Sequence, residues 1–151
     1  MPVIERSITL NTPIEVVFQY LYNPTHLPEV CPGVIAVDDI QHRTTHSIDF
    51  TWTFKMVGVQ FTGGAEIVAT RHHQRMDIQF WGGIRGHLTY QLHPTDEGVD
   101  LETTVEYKLP TPLLQKQDEA QIIRHNARAV ESMLKRIKTV LESEVVAQPV
   151  V

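Results

Sequence analysis

Residues 118–144 constrain the fold most, because they keep a helical period throughout and contain no glycine or proline. At 3.6 residues per turn, apolar residues fall on one side of this helix and charged residues on the other. The apolar side consists of Ile123, Ala127, Val130, Met133, Leu134, Ile137, Val140 and Leu141. A helix of this length spans roughly 40 Å and needs a large apolar partner. We therefore expect the rest of the chain to supply that partner.

The residues before this helix mostly show the two-residue period of strands. The clearest case is residues 46–56, where Ile48, Phe50, Trp52, Phe54 and Met56 all face one way. Other strands are predicted at residues 3–10, 34–40, 60–70, 76–80, 88–92 and 99–109. Short hairpin connections make the sheet antiparallel, with one apolar face. The predicted class is α+β: a seven-stranded antiparallel sheet wrapped around the long C-terminal helix, with two short helices between strands 1 and 2.

Length and composition narrow the classes of protein to consider. At 151 residues the chain is predicted to be one domain, with a core of about residues 3–144 and a frayed tail at 145–151. Thirteen basic against 18 acidic residues give a net charge of −5, which argues against nucleic-acid binding. The single cysteine excludes an internal disulfide framework and suits a reducing cytosol. With no signal-peptide pattern and no membrane-spanning stretch, we predict a cytoplasmic protein.

Several short motifs accompany this order of elements. They are Thr12-Pro13, which starts the first helix with Thr12 as its cap, Asn23-Pro24, which ends it, Pro28, Pro32-Gly33, Phe61-Thr62-Gly63, Leu109-Pro110 and Leu134-Lys135-Arg136-Ile137-Lys138. The ordered set resembles the helix-grip fold of the START / Bet v 1-like (SRPBCC) superfamily over residues 3–144. That group includes polyketide cyclase/dehydrase-like proteins, lipid-transfer domains, coenzyme-Q-binding domains and the carbon monoxide dehydrogenase G-subunit family. The resemblance implies a cavity between helix and sheet, whose content differs among members.

The turns at one end of the predicted sheet are unusually apolar. In an antiparallel meander alternate turns lie at the same end, and one end collects Val57, Val59, Trp81, Ile84, Leu113 and Leu114. Such residues could close over a cavity mouth, touch a membrane, meet another subunit in a homodimer, or simply cap the core. The sequence leaves these alternatives open.

Polar residues on apolar faces are the second indication of a site. Burying a polar group without a partner costs about 1–3 kcal/mol, so each must meet a polar group, water or a ligand. Seven residues are in this position: Arg6, His46, Tyr90, Thr103, Tyr107, Glu119 and Asn126. Together they favour a cavity with polar anchoring points. The predicted ligand-binding residues are Arg6, Phe50, Trp52, Phe54, Phe61, Ile78, Phe80, Tyr90, Thr103, Tyr107, Glu119, Ile123 and Asn126.

Sequence motifs of catalysis, metal binding and nucleotide binding are absent, so no metal, cofactor or catalytic residue is predicted. The first hypothesis is a noncatalytic binding or carrier protein for a hydrophobic molecule such as a lipid, quinone or polyketide-like compound. The alternatives are a cyclase or dehydratase that uses an acid–base pair in the same cavity, or a module whose apolar turns contact a protein or membrane. In the first two cases the site should lie under the first half of the long helix.

Overall fold

A computed structural model describes residues 1–115 and 117–147 of the chain. Within these residues seven strands are found: β1 Val3–Leu10, β2 Val34–Thr44, β3 Ser47–Met56, β4 Val59–Arg71, β5 Arg75–Gly82, β6 Arg85–Pro94 and β7 Val99–Lys108. The helices are α1 Ile14–Tyr22, α2 Leu27–Val30 after a 3-10 turn at Pro24–His26, α3 Thr111–Leu114 and α4 Glu119–Ala147. The predicted seven-stranded sheet, the two short helices and the long helix are all confirmed. Helix α3 occupies a segment for which a turn was predicted, and β2 continues to Thr44, four residues beyond its predicted end.

All seven strands form one antiparallel sheet in the order β1-β7-β6-β5-β4-β3-β2. Strands β2 to β7 follow one another as hairpins, whereas β1 pairs with β7 at the far edge, with Val3 opposite Glu106 and Leu10 opposite Val99. The α1–α2 segment therefore links the two edge strands of the sheet. This is the helix-grip architecture.

Helix α4 covers that inner face, in contact with β1 and α2. Its fully buried residues are Ile122, Met133, Leu134, Ile137 and Leu141, and they join the inward side chains of the sheet in one core. In the first turns of α4 the buried residues are Ile122 and Asn126. Ile123, which was predicted to lie on the apolar side, is therefore only half-buried. The helix runs three residues beyond its predicted end at Glu144. Residues 148–151 of the predicted tail lie outside the described part of the chain.

At the helix and hairpin ends, one local detail differs from the prediction and a second is unusual for its residue type. Thr12 does not cap α1: no side chain caps this helix, and the buried Thr12 Oγ1 has no hydrogen-bond partner among the described residues. The β3–β4 hairpin turns in two residues, Val57 and Gly58, with φ of 48° and 81°. Positive φ at both central positions is typical of a type I′ turn, but it is rare for a β-branched residue such as valine.

Candidate ligand-binding cavity

A cavity of about 170 Å³, partly open to solvent, lies between the inner face of the sheet and the first half of α4. Strands β3 to β7 form its floor, and Asn126, Ala129, Val130 and Met133 of α4 form its roof. One side is closed by the segment from Leu27 through Cys31 and Pro32 to Val34. The cavity therefore lies where the sequence predicted a site, under the first half of the long helix.

The floor of the cavity follows from one row of residues across the sheet. Strand register places Phe50, Ala65, Phe80, Gly86 and Tyr107 opposite one another on β3 to β7. Large and small residues thus alternate along the row. A Cβ atom at Gly86 would lie 2.7 Å from Cζ of Phe80, so the Phe80 ring leans over that glycine. Ala65 lines the cavity together with Phe50 and Phe80, the aromatic residues on either side of it in the row.

A tryptophan forms a rigid part of the wall next to this row. The Trp52 indole covers Gly63, where a Cβ atom would lie 2.5 Å from its Cζ2. Its Nε1–H donates a 2.7 Å hydrogen bond to the carbonyl oxygen of Gly64. Because this bond satisfies the indole N–H, Trp52 presents only apolar surface to the cavity.

Two polar side chains meet inside the otherwise apolar lining. Tyr107 on β7 is 3% exposed and Asn126 on α4 is 7% exposed. Asn126 Nδ2 donates to Tyr107 Oη at 2.8 Å and approaches Met56 Sδ at 3.6 Å. Within the described residues, the hydroxyl proton of Tyr107 finds no acceptor and Asn126 Oδ1 accepts no hydrogen bond. One donor and one acceptor are therefore left side by side.

The ionisable groups in the lining stay neutral. Burial raises the pKa of the Tyr107 hydroxyl, and the hydrogen bond from Asn126 lowers it by less. Burial likewise raises the pKa of the Cys31 thiol to about 12, against a smaller lowering by the charge of Arg136. Since a thiolate is the nucleophilic form of cysteine, Cys31 is not an activated nucleophile at neutral pH.

Comparison with known proteins identifies the family of this sequence. The sequence model described as "Polyketide cyclase / dehydrase and lipid transport" matches residues 1–142. The chain belongs to this family. The predicted resemblance to polyketide cyclase/dehydrase-like proteins is thereby confirmed, and a START superfamily protein shares the fold. No curated protein matches the sequence significantly.

Solved structures of proteins with low sequence identity to this chain share the fold. TTHA0849 from Thermus thermophilus is 18% identical with a TM-score of 0.81, covering 95% of this chain and 99% of that chain. The Zhui aromatase/cyclase from Streptomyces sp. R1128 is 12% identical with a TM-score of 0.78, covering 97% and 96%. A START superfamily protein from Mycobacterium smegmatis is 9% identical with a TM-score of 0.71, covering 94% and 98%. At these identities the likeness shows the fold alone.

The predicted ligand-binding residues divide into those that line the cavity and those that do not. Those that line the cavity are Phe50, Trp52, Phe54, Ile78, Phe80, Tyr107 and Asn126. Phe61, Tyr90, Thr103 and Ile123 pack elsewhere, and Arg6 and Glu119 are exposed. Tyr90, for example, donates to Met133 Sδ at 3.7 Å in the core, and burial raises its pKa. Of the polar candidates, the structure brings together only Tyr107 and Asn126.

The burial predicted for three polar residues is wrong, because they lie on an edge strand, in a turn and at a helix end, where side chains reach solvent. Arg6 lies on the edge strand β1 and reaches past the sheet, where its Nε is 3.5 Å from Glu131 Oε2. His46 belongs to the β2–β3 turn, and Glu119 is the first residue of α4. Periodicity alone had nominated these residues for burial. It could not show that the face ends beside them.

The predicted mouth residues also separate. Ile84 is buried and lines the cavity, whereas Leu113 is buried but is not a lining residue. Val57 and Val59 are half-buried, and Leu114 is 44% exposed. Trp81 does not lie at the mouth. Strand β5 continues to Gly82, so Trp81 alternates with the inward Phe80 and covers Gly64 on the outer face. The predicted set left out lining residues such as Leu27, Pro32 and Ala129, which come from α2, the segment after it and α4.

Thr103 provides a test of how the buried polar groups are satisfied. It is 1% exposed, and its Oγ1 has no hydrogen-bond partner among the described residues. Thr103→Val keeps the shape and removes the orphaned hydroxyl, so we expect it to raise the free energy of unfolding by about 1 kcal/mol. Thr103→Ser, which keeps the hydroxyl and loses the methyl group, should lower it. Urea unfolding measures both, and a destabilised Thr103→Val would show that the hydroxyl is paired in solution.

The described ranges show neither a metal-binding cluster nor a helix that could span a membrane. No three histidine, cysteine, aspartate or glutamate side chains there are grouped so that they could hold a metal ion. None of the helices there combines the length and the apolar composition that crossing a membrane requires.

Proposed function

We propose that the protein binds a hydrophobic small molecule in the cavity under α4, with Tyr107 and Asn126 as its polar anchor. Membership of a family of polyketide cyclases, dehydrases and lipid transport proteins supports hydrophobic ligand binding or a cyclase role. The observation that carries the proposal is the lining itself. It consists of aliphatic and aromatic side chains around one adjacent donor and acceptor, which is the composition of small-molecule sites.

The same lining favours binding over acid–base catalysis. A cyclase or dehydratase needs a group that accepts a proton near neutral pH. The ionisable lining residues are Tyr107 and Cys31, and burial raises the pKa of both. Of the other polar residues that the sequence places on apolar faces, His46 and Glu119 are exposed and Tyr90 is bonded to Met133. Tyr107 and Asn126 offer hydrogen bonds to a ligand, but no base lies beside them among the described lining residues.

The proposal is tested by filling the cavity. Ala129 lines it from α4, and Ala129→Leu adds three carbon atoms to the space that a ligand would occupy. We expect native mass spectrometry of the gently purified protein to show a bound small molecule, and Ala129→Leu to lose at least about nine-tenths of it because overlap cannot be relieved in a packed wall.

Ala120→Leu is the matched control. Ala120 lies on the same helix but is exposed and does not line the cavity, so this variant should keep the full amount of ligand. Extraction of both proteins into organic solvent, followed by mass spectrometry, identifies the molecule. Equal occupancy in wild type and Ala129→Leu would place the ligand elsewhere, and a protein that binds nothing would overturn the proposal.

A further inference from the structure

We infer that the ligand is a neutral molecule about the size of one substituted ring, and that it carries a hydroxyl group. This inference rests on the proposed function and adds a chemical class to it. The size follows from the cavity volume of about 170 Å³. An engineered cavity of about 150 Å³ binds benzene, whereas sites for drug-sized molecules have volumes of roughly 300–1,000 Å³. A long acyl chain or a fused polycyclic molecule would not be enclosed.

The hydroxyl group follows from the two unused hydrogen-bonding positions. Tyr107 can still donate its proton, and Asn126 Oδ1 can still accept one. The 2.8 Å hydrogen bond joins Tyr107 Oη to Nδ2 of the amide that also carries Oδ1, so the free donor and the free acceptor belong to bonded neighbours, and we take one ligand group to engage both. A hydroxyl group both accepts and donates, whereas an ether or ketone oxygen only accepts. A hydroxyl is therefore the smallest group that satisfies the pair.

Neutrality follows from the charges around the cavity. Among its described lining residues there is no lysine, arginine or histidine. Arg136 acts on the Cys31 thiol, but it is exposed and lies outside the lining. A carboxylate that entered the cavity would lose its hydration without gaining a cation, which is strongly unfavourable. Ligands whose charged group would lie inside the cavity, beside Tyr107 and Asn126, are therefore excluded from this class.

The sequence offers a built-in reporter for the test. The chain contains two tryptophans, of which Trp52 lines the cavity and Trp81 covers the outer face of the sheet. Trp81→Phe leaves Trp52 as the single tryptophan without changing a cavity residue. Fluorescence of the Trp81→Phe protein therefore reports occupancy of this cavity.

The experiment compares three probes with the same ring and ethyl group: 4-ethylphenol, ethylbenzene and 4-ethylbenzoate, each titrated at pH 7. We expect 4-ethylphenol to bind at least about tenfold more tightly than ethylbenzene, because it forms two hydrogen bonds in an apolar site. The benzoate should bind at least about tenfold more weakly than the phenol. Adding Tyr107→Phe should reduce the preference for the phenol to about threefold or less and leave the affinity for ethylbenzene unchanged.

The outcomes separate this inference from the proposed function. Equal binding of ethylbenzene and 4-ethylphenol would overturn the hydroxyl requirement, while hydrophobic binding would stand. Tight binding of the benzoate would overturn neutrality. If none of the three probes changes Trp52 emission but native mass spectrometry still finds a larger bound molecule, the size limit is wrong and the proposed function survives. If neither experiment detects binding, both fail.

Discussion

Gly63→Ala is expected to lower the free energy of unfolding by about 3 kcal/mol, because there is no room for a side chain at this position. A Cβ atom there would overlap the backbone oxygen of Trp81 and lie 2.5 Å from Cζ2 of Trp52. The first neighbour belongs to the adjacent strand β5, so it cannot move without breaking the sheet. The second is the cavity wall, so the substitution should also displace Trp52 and change its fluorescence.

Gly64→Ala is the natural control, because the two glycines are adjacent in β4. Its Cβ atom would meet only the Trp81 indole, with Nε1 at 2.8 Å, and this side chain is 44% exposed and can turn away. We expect a loss below about 1 kcal/mol from this variant. Urea unfolding at pH 7 compares the two, and equal losses would show that strand conformation at these glycines, rather than the Trp52 contact, limits the substitution.

The sequence predicted the elements well because each carries its own period. The alternation of residues 46–56 identified the inward face of β3, and the helical period of residues 118–144 identified the covering face of α4. These patterns are local, since neighbouring side chains along one element determine them. The cavity is not local. It arises because register aligns Ala65 and Gly86 with three aromatic residues on other strands, and no pattern within one strand fixes that register.

The polar residues show the same limit. Tyr107, Asn126 and Thr103 all fall on apolar faces, and the sequence treats them alike. In the structure the first two meet across the cavity, while Thr103 is sealed in the core without a partner among the described residues. Arg6 is exposed because it lies on an edge strand, and Glu119 is exposed because it lies at a helix end. Periodicity can nominate inward polar groups, but only the assembled layers decide which of them reach a ligand.

Asp77→Asn should lower the free energy of unfolding by about 2 kcal/mol at pH 7. Asp77 lies on the outer face of β5 with its side chain 17% exposed. Burial alone would raise its pKa, but hydrogen bonds from Arg75, Thr70 and Thr89 and the charge of Arg75 lower the pKa to about 2. His87 Nε2 lies 3.1 Å from the same carboxylate. A neutral amide loses the charge that holds this cluster together.

The pH dependence distinguishes this loss from a packing defect. A carboxyl group whose pKa is lower in the folded protein stabilises it above the unfolded-state value of about 3.9, and the contribution disappears as the pH falls through the folded value of about 2. The difference between wild type and Asp77→Asn should therefore shrink from about 2 kcal/mol at pH 7 to about 1 kcal/mol at pH 3. Asp96→Asn, in the exposed β6–β7 turn, should change stability by less than about 0.5 kcal/mol throughout. A difference for Asp77→Asn that stays constant from pH 7 to pH 3 would mean that shape, not charge, makes Asp77 stabilising.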